Sequence, residues 1–447
     1  MRFKGLLLFT ALMAPAGLAI AQTGVPAARP AEATTPAPAA VPQAVPQAQP
    51  GAVAPPVAAP VPPPPPPAVW TPLDANQLLM AIMTSAKEGL DPRDYDTAGL
   101  ITAMSAGDPM LLSAAATERF NALSNDLALG RVKRADRQNW FVPDPDLDAA
   151  KQDTLLRAAL AQHRVGEALT GLLPTHPQYA ALRHALEVTP KGETDKINRI
   201  RLNMDRWRWL PRDLGERYII VNVPAYTAAL VENGQTVSRH RAVAGAIKTQ
   251  TPQLMAVATG VILNPWWEVP PSITKEVAGK PGYVSLKGPD GKILRWRQPP
   301  GPRNALGQIK FVMYNPHNIY LHDTTAKTLF DAKSRAYSHG CIRTEHILLL
   351  AEKLLGEGTY APAADGTVPA AWTPERIKET VASQKTVQAN FPKPLPVYIV
   401  YMSSAALQDG SIKDYADIYK KDGKVIAALN NAPKTPQAKT PDKVASR

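Results

Sequence analysis

Apolar residues recur at steps of three and four through Leu112, Ala116, Phe120, Leu123 and Leu127. This spacing puts them on one helical face, with Asp108-Pro109 as a cap and first-turn proline and Gly130 as a stop. The same period predicts a helix over about 153–173. A third starts near His176-Pro177 and carries Tyr179, Leu182 and Leu186, and a fourth carries Ile197, Ile200, Met204 and Trp207 and ends at Leu210-Pro211. Residues 70–211 therefore read as an all-helical block, with His163, His176 and His184 on surface or capping positions. At Arg217 the period shortens. Tyr218 to Val223 and Tyr226 to Glu232 are rich in β-branched and aromatic residues, and Asn233-Gly234 joins the second run to Gln235–Ala244 as a hairpin turn. Further strands are expected at Val257–Leu263 and Asn318–Leu321, and a helix at Thr344–Leu355. The fold class is α+β: a helical N-terminal domain, then a β-rich domain over about 216–404 with an extension over 405–429.

Outside these segments the pattern lapses. Residues 264–309 are rich in Pro and Gly and contain Trp266, Trp267 and Trp296, which predicts a long loop capping a site. Such tryptophans either grip a ligand or fold the loop onto the body. Residues 22–69 are almost entirely Ala, Pro, Val and Gln, a composition that favours extended polyproline II over a packed core. Residues 430–447 read as a disordered basic tail.

The first residues predict export. Arg2 and Lys4 precede the apolar run Gly5–Ile20, which is short for a membrane span, and Ala19-Ile20-Ala21 offers a cleavage site, so residues 1–21 read as a signal peptide. No later stretch is apolar enough to span a bilayer. A net charge of +12 would otherwise raise nucleic acid as a partner. Export, scattered basic residues and the lack of a nucleic-acid motif argue against that, and anionic wall or lipid remains as a partner for the charge.

An exported chain usually pairs its cysteines, yet Cys341 is the only one. A lone cysteine is either a small buried hydrophobe or a reactive thiol. Here it lies within Ser338-His339-Gly340-Cys341-Ile342-Arg343, with His322 nineteen positions earlier. A thiol nucleophile needs a base and backbone donors for its oxyanion, and this segment offers both. With a helix starting directly after it, the thiol is expected to have a lowered pKa. His322 would act as base, its other ring nitrogen fixed by a backbone carbonyl or by Asp323. Ser338 and His339 would orient the turn, and the amides of Gly340 and Cys341 would face the oxyanion. His317, His322, His339, His346 and Cys341 also invite a zinc reading, but His339-x-Cys341 is too tight for ligand pairing and there is no second thiol. No metal and no cofactor are expected.

His322, fifteen residues, then Ser338-His339-Gly340-Cys341 resembles the signature of the L,D-transpeptidases of bacterial cell-wall synthesis, the YkuD type. The likeness extends to Asn264–Ile273, Pro300–Gly307 and Tyr320–Thr324, and Asn125–Val132 resembles the helical scaffold domain of the large periplasmic members. Those members usually insert a peptidoglycan-binding module, for which the chain around Asn198–Trp209 leaves too little room. Many family members have Asn two residues after the cysteine, where this chain has Arg343, as the large periplasmic type does. The resemblance implies a periplasmic enzyme, associated with the inner membrane or the wall. It would join peptidoglycan stem peptides by 3→3 cross-links through a Cys341 thioester, with other cell-wall synthesis proteins as candidate partners. It implies roles in substrate binding for Arg343, Tyr320 and Trp267. A carboxypeptidase, an enzyme attaching or detaching wall-linked protein, and a non-catalytic wall-binding protein are the alternatives.

Overall fold

The computed structural model describes residues 66–431 apart from 357, 359, 361–366 and 408, so the expected signal peptide, most of the linker and nearly all of the tail lie outside the described residues. The N-terminal half is helical: α1 (Pro72–Thr84), α2 (Thr97–Ser105), α3 (Pro109–Leu129), α4 (Ala149–Ala161), α5 (Val165–Thr170), α6 (Pro177–Val188) and α7 (Thr194–Arg208). Asp108 caps α3 by accepting from the amides of Met110 and Leu111, and Gly130 ends it with φ of 85°. The helix expected over 153–173 is broken into α4 and α5 at His163, whose φ is 53°. Leu78, Ile82, Leu100, Phe120, Leu123 and Val165 form one apolar core. Among the described residues no helix is long and apolar enough to cross a membrane.

Between α3 and α4 the chain makes a two-residue strand, β1 (Trp140–Phe141), and then, after α7, a run of strands: β2 (Arg217–Asn222), β3 (Thr227–Glu232), β4 (Gln235–Gly245) and β5 (Gln253–Leu263). Asn233 and Gly234 take φ of 48° and 75°, the left-handed pair that a two-residue hairpin requires. Further along lie β9 (Ile309–Met313), β10 (Leu321–His322), β11 (Ala336–Ser338), β12 (Ile342–Thr344) and β13 (Val387–Val400). The main sheet runs β1-β5-β13-β2-β3-β4-β12-β10-β9, and β9 returns to pair with β5, so the sheet closes on itself. Its inward residues, among them Ile219, Val221, Leu263, Phe311, Leu321 and Ile342, share a core with α9 (Ile347–Gly356) and α10 (Pro374–Ala382).

The stretch 264–309 departs from expectation. It is a small subdomain rather than a plain loop, with β6 (Trp267–Glu268), α8 (Thr274–Val277), β7 (Val284–Lys287) and β8 (Ile293–Gln298). The three strands form their own sheet. Val269, Ile273 and Val277 bury against Trp267, Tyr283 and Trp296, so these aromatic rings fold the segment.

The helical and sheet halves meet in one apolar layer. Trp207, Trp209 and Leu210 pack on Tyr218, Val231, Tyr398 and Val400 from the outer face of the sheet, and α11 (Asp422–Asn431) completes the layer with Val425 and Leu429. Buried polar groups fix its register. Asn203 and Ser403 are joined by two hydrogen bonds, and Arg206 pairs with Asp422 at 2.8 Å. At its edge the His176 ring stacks on Trp207 with centroids 4.2 Å apart. His176 Nδ1 accepts from the Gln178 amide, which leaves Nε2–H to face the Tyr218 hydroxyl at 2.9 Å. Burial lowers the His176 pKa to about 4.

Because the unfolded chain takes up this proton near the ordinary histidine value and the folded chain only near pH 4, stability falls as pH drops through that interval. Thermal unfolding between pH 7 and 4 should show the decline, and His176→Gln should flatten it by about 1–3 kcal/mol. An unchanged pH slope in H176Q would contradict this.

Candidate active site

The site lies where β9, β10 and β12 run side by side. His322 is in register with Lys310 of β9 and with Arg343 of β12. Strand alternation sends Leu321 and Ile342 into the core and leaves Lys310, His322 and Arg343 on the other face. Tyr320 and Cys341, two positions earlier on adjoining segments, extend the same face. Ile342 N–H donates to the Tyr320 carbonyl at 3.0 Å and locks the two segments together. The Lys310 ammonium lies over the Tyr320 ring, 4.6 Å from its centroid.

His322 is 5 % exposed. Its Nδ1 donates to the backbone carbonyl of its neighbour Asp323, the first of the two partners the sequence left open. The Asp323 carboxylate faces elsewhere. It accepts from the Gln308 amide at 3.0 Å and from Lys327, and packs against Gly307, where a Cβ would stand 2.2 Å from its oxygen. With Nδ1 protonated, Nε2 carries the lone pair. Burial and the nearby positive charge of Arg343 and Lys310 hold the imidazole pKa down at about 3 despite the Asp323 carbonyl, so the ring is neutral at physiological pH.

Cys341 is half-buried and does not open a helix. β12 intervenes, since Ile342 and Thr344 are β-branched and Thr344 and Arg343 pair with Ala242 and Val243 of β4, and α9 begins only at Ile347. The expected helix-dipole stabilisation of a thiolate is therefore absent. Burial pushes the thiol pKa up, against donors from the Tyr320 amide and hydroxyl and the charges of Lys310 and Arg343. The Sγ–H donates to the Asn318 carbonyl at 3.5 Å. Among the described residues no hydrogen bond joins Sγ to His322, so the resting site holds a thiol and, on the adjoining strand, a neutral imidazole.

The turn before the sulfur is tied down at each residue. Ser338 Oγ accepts from the Gly340 amide at 3.1 Å and donates to the Cys341 carbonyl at 2.6 Å. The Ser338 carbonyl accepts from Ala246 N–H and from the Thr249 hydroxyl, and the Gly340 carbonyl accepts from the Thr251 hydroxyl at 2.7 Å. Gly340 has φ of 116°, a conformation that glycine alone adopts readily. The Gly340 amide, expected to face an oxyanion, is thus already used by Ser338. Among the described residues nothing accepts from the amides of His339 and Cys341, which leaves these two for incoming charge.

The capping subdomain reaches the same place. The Trp267 indole N–H faces the Tyr320 hydroxyl, and Glu276 of α8 lies 3.4 Å from His339 Nε2. Arg343 forms no ion pair among the described residues, and its Nε is buried without a hydrogen-bond partner. His317 and His346 do not converge on the sulfur: His317 packs tilted against Phe141 and His346 lies 3.8 Å from Glu345. Lys310, Thr249, Thr251 and Asn318 are additions to the site. Lys310 lies on a strand adjacent to the expected loop, and the two threonines lie about ninety residues away from the turn they hold.

Residues 216–381 match the family model of the L,D-transpeptidase catalytic domain, and residues 67–186 match a scaffold domain. Residues 216–381 are an L,D-transpeptidase catalytic domain. A relative from Haemophilus influenzae, named "Putative L,D-transpeptidase", is 29% identical over 265 residues, which is 53% of this chain and 51% of that protein. The match thus spans about half the length of this curated relative. Solved structures of L,D-transpeptidases from Enterococcus faecium and Mycobacterium smegmatis are similar at 12% and 13% identity, with TM-scores of 0.22 and 0.21. They cover 43% and 41% of this chain and 52% and 58% of theirs, and at those scores they add no weight to the family match.

A neutral thiol–imidazole pair in the transpeptidase domain has a kinetic signature. Alkylation of Cys341 by iodoacetamide should rise about tenfold per pH unit up to at least pH 8.5, because only the thiolate reacts. Tyr320→Phe removes a donor to the sulfur and should move the profile to higher pH. A plateau at pH 6–7 would instead reveal a preformed thiolate–imidazolium pair.

Proposed function

We propose that this protein is an exported peptidoglycan L,D-transpeptidase that forms 3→3 cross-links through a thioester on Cys341. The observation that carries the reading is the sole thiol on a fixed turn, beside a neutral buried imidazole and two amides without acceptors. The donor substrate is a tetrapeptide stem. On binding, the Cys341 side chain turns from the Asn318 carbonyl, and His322 Nε2 takes the Sγ proton as sulfur bonds to the carbonyl carbon of the third residue, a diamino acid. The oxyanion is held by the amides of Cys341 and His339. Collapse breaks the peptide bond, and the leaving D-alanine amine takes the proton from His322. The acceptor amine of a second stem then gives a proton to His322 and bonds to the thioester carbonyl, and the thiolate leaves and is reprotonated.

The neighbouring residues have matching roles. Arg343, lacking a carboxylate partner among the described residues, suits a stem carboxylate. Tyr320 supports the sulfur and carries Trp267, and the capping subdomain shields the thioester from water so that the amine competes with hydrolysis. This function places the enzyme in the periplasm, in contact with the wall.

The purified protein with disaccharide-tetrapeptide should give cross-linked dimer and free D-alanine. Cys341→Ala should abolish both, together with mass labelling by a carbapenem, and His322→Ala should slow the reaction by about 10²–10⁴-fold. Stem hydrolysis without dimers would replace the transpeptidase reading with a carboxypeptidase one. Retained labelling in C341A would end the nucleophile assignment.

A further inference from the structure

The scaffold domain approaches the nucleophile from two sides. Its strand β1 pairs with the start of β5, Trp140 opposite Gln253 and Phe141 opposite Leu254, on the edge that β9 occupies further along at Ala258–Leu263. The strand thus extends the catalytic sheet where β9 stops. From this strand one path runs to the turn. The Asn139 carbonyl accepts from the Gln253 amide at 2.9 Å, and the Gln253 side chain donates to the Gln138 carbonyl at 3.0 Å. Two residues earlier, Thr251 Oγ1 accepts from the Gly245 amide and donates to the Gly340 carbonyl. The Thr251 amide rests on the Tyr419 hydroxyl, which donates to the Gly245 carbonyl. Thr251 is 1 % exposed and neighbours the scaffold contact. A second path runs through Phe141, whose ring packs tilted against His317 with centroids 4.1 Å apart. Asn318, the next residue, supplies the carbonyl that receives the Cys341 thiol.

The peptide plane connects these contacts to chemistry. In a trans peptide the C=O and N–H point opposite ways. Holding the Gly340 carbonyl on Thr251 therefore turns the Cys341 N–H to the other side, where it has no acceptor among the described residues. We infer that the scaffold domain is part of the catalytic apparatus: its segment Gln138–Phe141 clamps Gln250–Gln253, and Thr251 acts as the positioning residue that aims the Cys341 amide at the oxyanion. The inference rests on the thioester reading of Cys341 and adds a role for a domain otherwise regarded as support.

Two thiol reactions separate this from simple structural support. Carbapenem acylation passes through an oxyanion, whereas iodoacetamide alkylation does not. In the full-length protein, Thr251→Val should slow acylation about 10- to 100-fold, a fraction of the loss of an oxyanion donor, with alkylation at the same pH changed less than about threefold. Thr251→Ser keeps the hydroxyl and should restore acylation to near the wild-type rate. Phe141→Ala, on the half-exposed scaffold strand, should lower acylation several-fold with the same sparing of alkylation. Equal acylation in T251V and wild type, or equal losses in both reactions, would overturn the role of Thr251. An F141A protein acylated at the wild-type rate would overturn the scaffold's part. Both results leave the nucleophile reading standing, since that depends on the labelling of C341A.

Discussion

One hydrogen bond sets the chemical character of this site, from His322 Nδ1 to the carbonyl of Asp323. It fixes the tautomer, directs the basic lone pair to Nε2, and comes from the backbone rather than from a carboxylate. A carboxylate there would favour the imidazolium. A carbonyl, in a buried site flanked by Lys310 and Arg343, leaves the ring neutral. The same cations that disfavour a charged imidazole pull the Cys341 thiol pKa down, against the larger effect of its burial. The neutral state of both groups thus follows from burial and one row of residues across three strands.

Around this pair the protein spends its hydrogen bonds on holding a turn. Ser338, Thr249 and Thr251 fix successive peptide groups between Ser338 and Cys341, and Gly340 supplies the backbone conformation that the turn needs. Two of these anchors come from the segment between β4 and β5, against which the scaffold strand is laid. The L,D-transpeptidase domain is in this sense completed by a piece of chain more than a hundred residues upstream in sequence.

The broad architecture was legible because periodicity reports burial. The α3 face and the Asn233-Gly234 hairpin could both be read from spacing, and the lone cysteine with its neighbouring motif singled out His322 and Cys341, which the fold sets on adjoining segments. The misses have local causes. The capping subdomain looked like a loop because its strands are short and flanked by Pro and Gly, and its core is only a few residues. β13 is hidden in the sequence because prolines at 392, 394 and 396 interrupt its strand pattern. Cys341 reads as a helix start because Ile342-Arg343-Thr344 is three residues of strand, too short to show a period. Thr251 was invisible for another reason: a buried threonine near a turn has no sequence signature, and its role arises from a contact eighty-nine positions away.

The protonation state of His322 is the most direct measure of this arrangement. In ¹⁵N NMR of histidine-labelled protein, with His322→Gln for assignment, the His322 ring should carry a proton on Nδ1 alone and remain unchanged from pH 8 to pH 5. A ring that is doubly protonated at neutral pH, or that carries its proton on Nε2, would contradict the account.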